Sequence, residues 1–174
     1  MLRSSFTVLI LFGTAPATVF AQADLTDAQM AHVAVTASDI DIAYAHLALA
    51  FSENDAVREF AETMIRDHSA VNGQVFELAD RLGVMAQDNP LSRQLMQESV
   101  RMKDRLSRLR GAEFDRVYME NEARYHQTVN GVVADVFIPN ADNREVKQAF
   151  QAAVNIFLAH QRHAESLARS VARR

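Results

Sequence analysis

Between residues 57 and 82 the apolar side chains fall at Val57, Phe60, Met64, Val71, Val75, Leu78 and Leu82, with His68 completing the series. Their spacing alternates between three and four. That pattern makes one stripe on a helix and no face of a strand, where apolar positions recur every second residue. Asn54 or Asp55 can cap the start, and Gly83 follows the last periodic residue as a C-terminal stop. A helix this long with a single apolar stripe must bury it against other helices.

Three more segments supply those partners. Thr26 and Gln29 form a capping box, with Leu25 and Met30 as a hydrophobic staple. Helix one then runs to about Phe51, with Ala34, Ala37, Tyr44, Ala48 and Phe51 on one face. Helix three follows Gly111, carries Phe114, Tyr118, Tyr125, Val129, Val132 and Val136, and ends near Pro139. Asp142 and Glu145 make another capping pattern, which opens helix four. That helix reaches about Val171, with Val146, Phe150, Ala153, Phe157, His160, Ala164 and Leu167 inward. Only 5 Gly and 3 Pro leave few turns, too few for a many-stranded sandwich.

The connections decide the topology. Helices one and two, and three and four, are joined by short loops and must form antiparallel hairpins. The stretch between helices two and three is long enough to cross the whole bundle. Asn89-Pro90 starts a further helix within it, amphipathic through Leu91, Leu95, Met102, Leu106 and Leu109. The expected fold is all-α: a ferritin-like four-helix bundle with an additional amphipathic crossover helix between helices two and three.

Residues 1–23 read as a cleavable signal peptide. Arg3 precedes an apolar run from Phe6 to Phe12, and small residues allow a cut after Ala21 or Ala23. The run is too short to span a bilayer, so no transmembrane segment is expected. The mature domain, 24–174, is expected in the periplasm. The absence of Cys excludes disulfides and a lipid-bearing cysteine. A net charge of −4 gives no reason to expect nucleic acid. Within 91–110, however, Arg93, Arg101, Lys103, Arg105, Arg108 and Arg110 outnumber Glu98 and Asp104. Such a segment suits contact with an envelope protein or anionic lipid, or it is simply a solvated helix face.

Aligning the helices brings out a polar layer at mid-height. Asp41, His68 and His160 interrupt the stripes of helices one, two and four, while Glu122 and His126 share a face of helix three. Each buried polar group without a partner would cost about 1–3 kcal/mol, so these must satisfy one another, hold water or hold a ligand. Three imidazoles with carboxylates suit a divalent ion such as zinc, iron, manganese or copper better than calcium. The same residues also suit a metal-free hydrogen-bond network that fixes helix register. No Glu-x-x-His pair is present, so the carboxylate-bridged diiron pattern is absent. Neither a phosphate loop nor a nucleophile triad can be assembled, and no catalytic residue is assigned. His32 and His46 fall off the stripe of helix one, and His163 lies on the flank of helix four, as suited to water as to a metal. Asp67 adjoins His68 but points to a different face.

Three passages carry a family resemblance: "NDAVREFAETMIRDHSAVNGQVFELADRLG" (54–83), "LRGAEFDRVYMENEARYHQTV" (109–129) and "REVKQAFQAAVNIFLAHQRHAESL" (144–167). Together they resemble the bacterial domain-of-unknown-function family 4142. The resemblance implies export, a ferritin-like bundle, and an acidic residue in the middle of helix one, which Asp41 matches. It implies no particular reaction.

Overall fold

The computed structural model describes residues 25–173. The expected signal peptide lies outside the described residues. Within them the chain forms no strand and five main helices: α1 (Asp27–Phe51), α2 (Asp55–Leu82), α3 (Pro90–Ser107), α4 (Gly111–Val132) and α5 (Arg144–Val171). The capping signals explain most of these boundaries. Thr26 and Gln29 form the reciprocal box at the start of α1, and Asn54 accepts from the Ala56 N–H at the start of α2. Asn89 caps α3 ahead of Pro90, and Gly83 ends α2 at φ +64, a left-handed conformation that glycine adopts without strain.

The helices alternate in direction. Asp27, at the start of α1, accepts hydrogen bonds from the backbone N–H groups of Asp142 and Asn143, just before α5. Ser52, at the end of α1, donates to Asp115 near the start of α4. Hence α1 and α4 run antiparallel. Arg81, near the end of α2, pairs with Glu145 at the start of α5. The Asn89 amide, at the start of α3, donates to the Gln29 carbonyl, while Arg110 beyond its end lies 3.8 Å over the Phe51 ring. Thus α3 travels the full length of the molecule and returns the chain to the end where α4 begins. The largest packing surfaces join α1 to α2 and α4 to α5, and α3 lies against α1.

Two apolar blocks form the core. One gathers Tyr44, Phe60, Met64, Phe114, Tyr118 and Met119 near the start of α4. The other gathers Met30, Leu78, Phe137, Val146 and Phe150 near the start of α1. Phe60 and Tyr118 are fully enclosed, and each buried aromatic of this size contributes about 1.5–3 kcal/mol of transfer energy. By length and composition α1 would also serve as a membrane span, but half of its most apolar stretch is covered by the other helices.

Three local readings need correction. Residues 133–137 wind as a π-helical turn before a last turn at Ile138–Asn140. The wider turn changes the helical phase, so Val133 and Phe137 are buried and Val136 only partly. Helix α5 is capped by Asn143 rather than Asp142, because the Asn143 side chain takes the N–H groups of Glu145 and Val146. On α1 the buried face includes Val33 and Ile40, with Ala34 and Phe51 at its edge.

Candidate metal centre

The polar layer lies between the two apolar blocks. Asp41 and Glu122 are wholly buried, and His68, His126 and His160 nearly so. Ligand atoms of His68, His126 and His160 lie within 4.8 Å of one another, as do those of Asp41, Glu122 and His126. All five residues singled out from the sequence therefore meet around His126. The rings also pack closely: His68 stands 5.7 Å from His126 and 5.5 Å from His160, and Phe157 stacks flat on His68 at 4.4 Å.

Each imidazole is held by one nitrogen and presents the other. The Nδ1–H of His126 donates to the Glu122 carbonyl, one turn back on α4, at 3.1 Å. The Nε2–H of His160 donates to Asp67 Oδ2 at 3.0 Å. His68 Nδ1 lies 3.2 Å from Ser38 Oγ, a hydroxyl able to accept from it or donate to it. Of the remaining nitrogens, His126 Nε2 and His160 Nδ1 are buried without a hydrogen-bond partner, as are both oxygens of Glu122, while His68 Nε2 is paired with Asp41 Oδ2 at 2.7 Å. Imidazoles anchored through one nitrogen, with the other lone pair directed inward, are the usual arrangement of histidine around a metal.

Electrostatics divides the two carboxylates. Burial pushes the Glu122 carboxyl well above its usual range, and the neighbouring Asp41 charge adds to the effect, so Glu122 keeps its proton. Burial also opposes ionisation of Asp41, but His68 and His126 outweigh it and hold that carboxyl well below the usual range. Burial depresses His126 to about 4, so near neutral pH it is an uncharged imidazole, the form that ligates. Burial likewise lowers His160, against the pull of Asp67.

The sequence reading missed Asp67 and Ser38. Although Asp67 is turned away from the face of His68, it lies three residues after Met64 and four before Val71. That places it on the flank of the stripe, from which it reaches across to α5. A hydrogen bond from Arg66 lowers its carboxyl and keeps it an anion for His160. Ser38 belongs to the buried face of α1, one turn before Asp41 on the neighbouring ridge. The other histidines stay apart from the layer. His46 and His163 are exposed, the latter edge-on to Phe60, and His32 is half-buried.

The model of the family described as a domain of unknown function, DUF4142, matches residues 13–167. The chain belongs to that family. None of the curated proteins matches the sequence. Among solved structures, "CopM in the Cu(II)-bound form" is similar, with a TM-score of 0.63 and 15% identity over 84% of this chain and 97% of that chain. At such identity the likeness is one of fold, and a fold does not fix a function. For this DUF4142 chain, the case for a metal rests on its own donor atoms: three imidazoles and two carboxyls buried together, of which His126 Nε2, His160 Nδ1 and the Glu122 oxygens have no hydrogen-bond partner.

Proposed function

We propose that this chain is an exported, periplasmic protein with a ferritin-like bundle and α3 as its crossover helix, and that it binds one divalent metal ion in the mid-bundle layer. His68 Nε2, His126 Nε2 and His160 Nδ1 are the nitrogen ligands. Asp41 and Glu122 supply oxygen, the latter after releasing its proton. A single observation carries the reading: three anchored imidazoles direct their inner nitrogens into one buried layer, where those of His126 and His160 have no hydrogen-bond partner. A complete metal-free network would be expected to pair these two as well, as Asp41 pairs with His68.

Only one His126 nitrogen is free, so the two overlapping ligand groups share it and hold one ion rather than two. Imidazole-rich donors favour copper(II) or zinc over manganese. The similar fold of a Cu(II)-bound protein makes copper(II) the first ion to test. No catalytic residue is assigned. Elemental analysis of untagged mature protein after exposure to zinc, iron, manganese or copper decides the matter. One ion per chain, lost in His68→Ala and His160→Ala, supports the proposal; no retained ion and an unchanged melting temperature with every ion refutes it.

A second reading concerns the surface. Segment 91–110 carries six cations against two acidic residues on a chain of net charge −4, and Met96 and Val100 are exposed along it. Arg101 and Arg105 form no ion pair among the described residues. This composition supports contact with anionic lipid of the envelope. Co-sedimentation with anionic but not zwitterionic vesicles, abolished by Arg101→Glu with Arg105→Glu, is the expected result. Equal recovery with both vesicle types excludes it.

A further inference from the structure

At the end of the molecule where α1 begins, α1, α2 and α5 diverge around a pocket of about 210 Å³. Its wall is apolar except for Asp27 and Asn143, and the exposed side chains of Phe76, Val84 and Met85 form its lip. Met85 is 84% exposed, although it belongs to a connection that could have turned it inward. The volume exceeds that of an apolar cavity of about 150 Å³ known to bind benzene, and the one charged group in its wall, Asp27, is already engaged by the Asp142 and Asn143 N–H groups.

The pocket is also placed with respect to the polar layer. Its inner wall, Val75, Ala149 and Phe150, is the outer wall of a second space of about 30 Å³. That space shares Ala34, Ser38, Val133 and Phe157 with a third, of about 20 Å³, bounded by His68 and His126. Each of the smaller spaces has room for about one water-sized molecule. Small side chains at Ala34, Ala149 and Ala153 leave the second space unfilled.

We propose that the end pocket is a binding site for a small, uncharged, apolar molecule of single-ring or short-alkyl size. Apolar atoms of the guest replace water against Val35, Leu78, Val146 and Phe150, and the lip closes over its outer side. Its apolar lining makes this pocket distinct in chemistry from the metal layer. The proposal stands whether or not the layer holds a metal.

The test uses metal-free protein and benzene as the probe, followed by amide and methyl NMR shifts. Saturable shifts centred on Val75, Ala149 and Phe150 are expected in the unmodified chain. Ala31→Phe or Ala149→Leu, each projecting into the pocket, should weaken binding by roughly tenfold or more without lowering the melting temperature, since filling a void restores contacts. Two variants guard against one that fails to fold. Absent or non-saturable shifts overturn the proposal, as does unchanged binding in both folded variants. A concentration-dependent dimer that buries Phe76 and Met85 and excludes benzene also overturns it, by making a second copy the occupant.

Discussion

His68 Nε2 and Asp41 Oδ2 stand 2.7 Å apart in a wholly buried setting, a pair that joins α2 to α1. An imidazole–carboxylate pair in low dielectric is worth more than in water. Two ligands of one ion have a different requirement. Their lone pairs point at a common centre about 2.0–2.1 Å from each, and in a tetrahedral site the ligand atoms then lie about 3.3–3.4 Å apart. The observed 2.7 Å is the closer spacing of an ion pair, so an ion bound between α1 and α2 would part the two atoms by about 0.6 Å. His126 Nε2, 3.9 Å from the same oxygen, suits the same centre.

The first expectation follows from which histidines face inward. Alanine at His68, His126 or His160 should eliminate stoichiometric metal in elemental analysis. Alanine at the exposed His46 or His163 should leave it intact. In the unmodified chain, free metal at about a hundred times its dissociation constant should add about 2.7 kcal/mol to stability, measurable as a rise in melting temperature. Metal retained by all three inward variants would place the ion elsewhere.

Asp67 supplies a graded test. It orients His160 from outside the layer, and groups in that position typically change metal affinity by about 10–100-fold. Asp67→Ala should therefore weaken binding by about that factor in calorimetric titration while keeping the stoichiometry. Asp67→Asn should recover part of the loss, since its amide oxygen still accepts from Nε2–H. An unchanged affinity in both would show that packing alone fixes the His160 ring.

The order of helices and the height of the layer were legible in the sequence because both follow from periodicity. Val57 to Leu82 specifies a stripe, and a histidine within it must be buried wherever the stripe is buried. Contacts between flanks were not legible. Asp67 meets His160 only because α2 and α5 settle at a particular rotation, which side-chain packing along both helices determines together. The π-turn at 133–137 was hidden for a related reason: an added residue in one turn leaves no mark in composition and shows only as Phe137 taking the place expected for Val136. Signals within one helix, such as the Thr26–Gln29 box, came through intact.

Protonation gives opposite slopes that a single variant can separate. His126 has its folded pKa lowered to about 4 from 6.5, so between these values the unfolded chain binds more protons and stability rises with pH. Glu122 is raised, so above its unfolded value of 4.5 the folded chain binds more protons and stability falls with pH. Glu122→Gln removes the second slope. Metal-free Glu122→Gln should gain on the order of 3 kcal/mol from His126 as pH rises through that window. Its advantage over the unmodified chain should grow by about 1.4 kcal/mol per pH unit above the unfolded pKa of Glu122, until the folded carboxyl ionises. Urea unfolding of both proteins across the range provides the readout. Parallel curves would mean that Glu122 is ionised in the folded state.

Tyr118 offers a prediction in which stability and affinity move in opposite directions. Its ring is fixed between Phe60, edge-on at 6.2 Å, and Phe114, stacked at 5.8 Å. Its hydroxyl is buried with no partner, one turn before Glu122 on α4. Burial, reinforced by the nearby Asp41 charge, pushes that hydroxyl well above its usual pKa, so it stays a donor. In metal-free protein this donor has no partner and costs about 1–3 kcal/mol. Tyr118→Phe keeps the ring and deletes the cost, so metal-free protein should gain about 1 kcal/mol, or roughly 2–4 °C in melting temperature. Metal binding takes the proton from Glu122, and the new carboxylate is then an acceptor for a donor on the same face of the same helix. The variant should accordingly bind metal more weakly while being more stable without it. A purely structural tyrosine would change stability and leave affinity where it was.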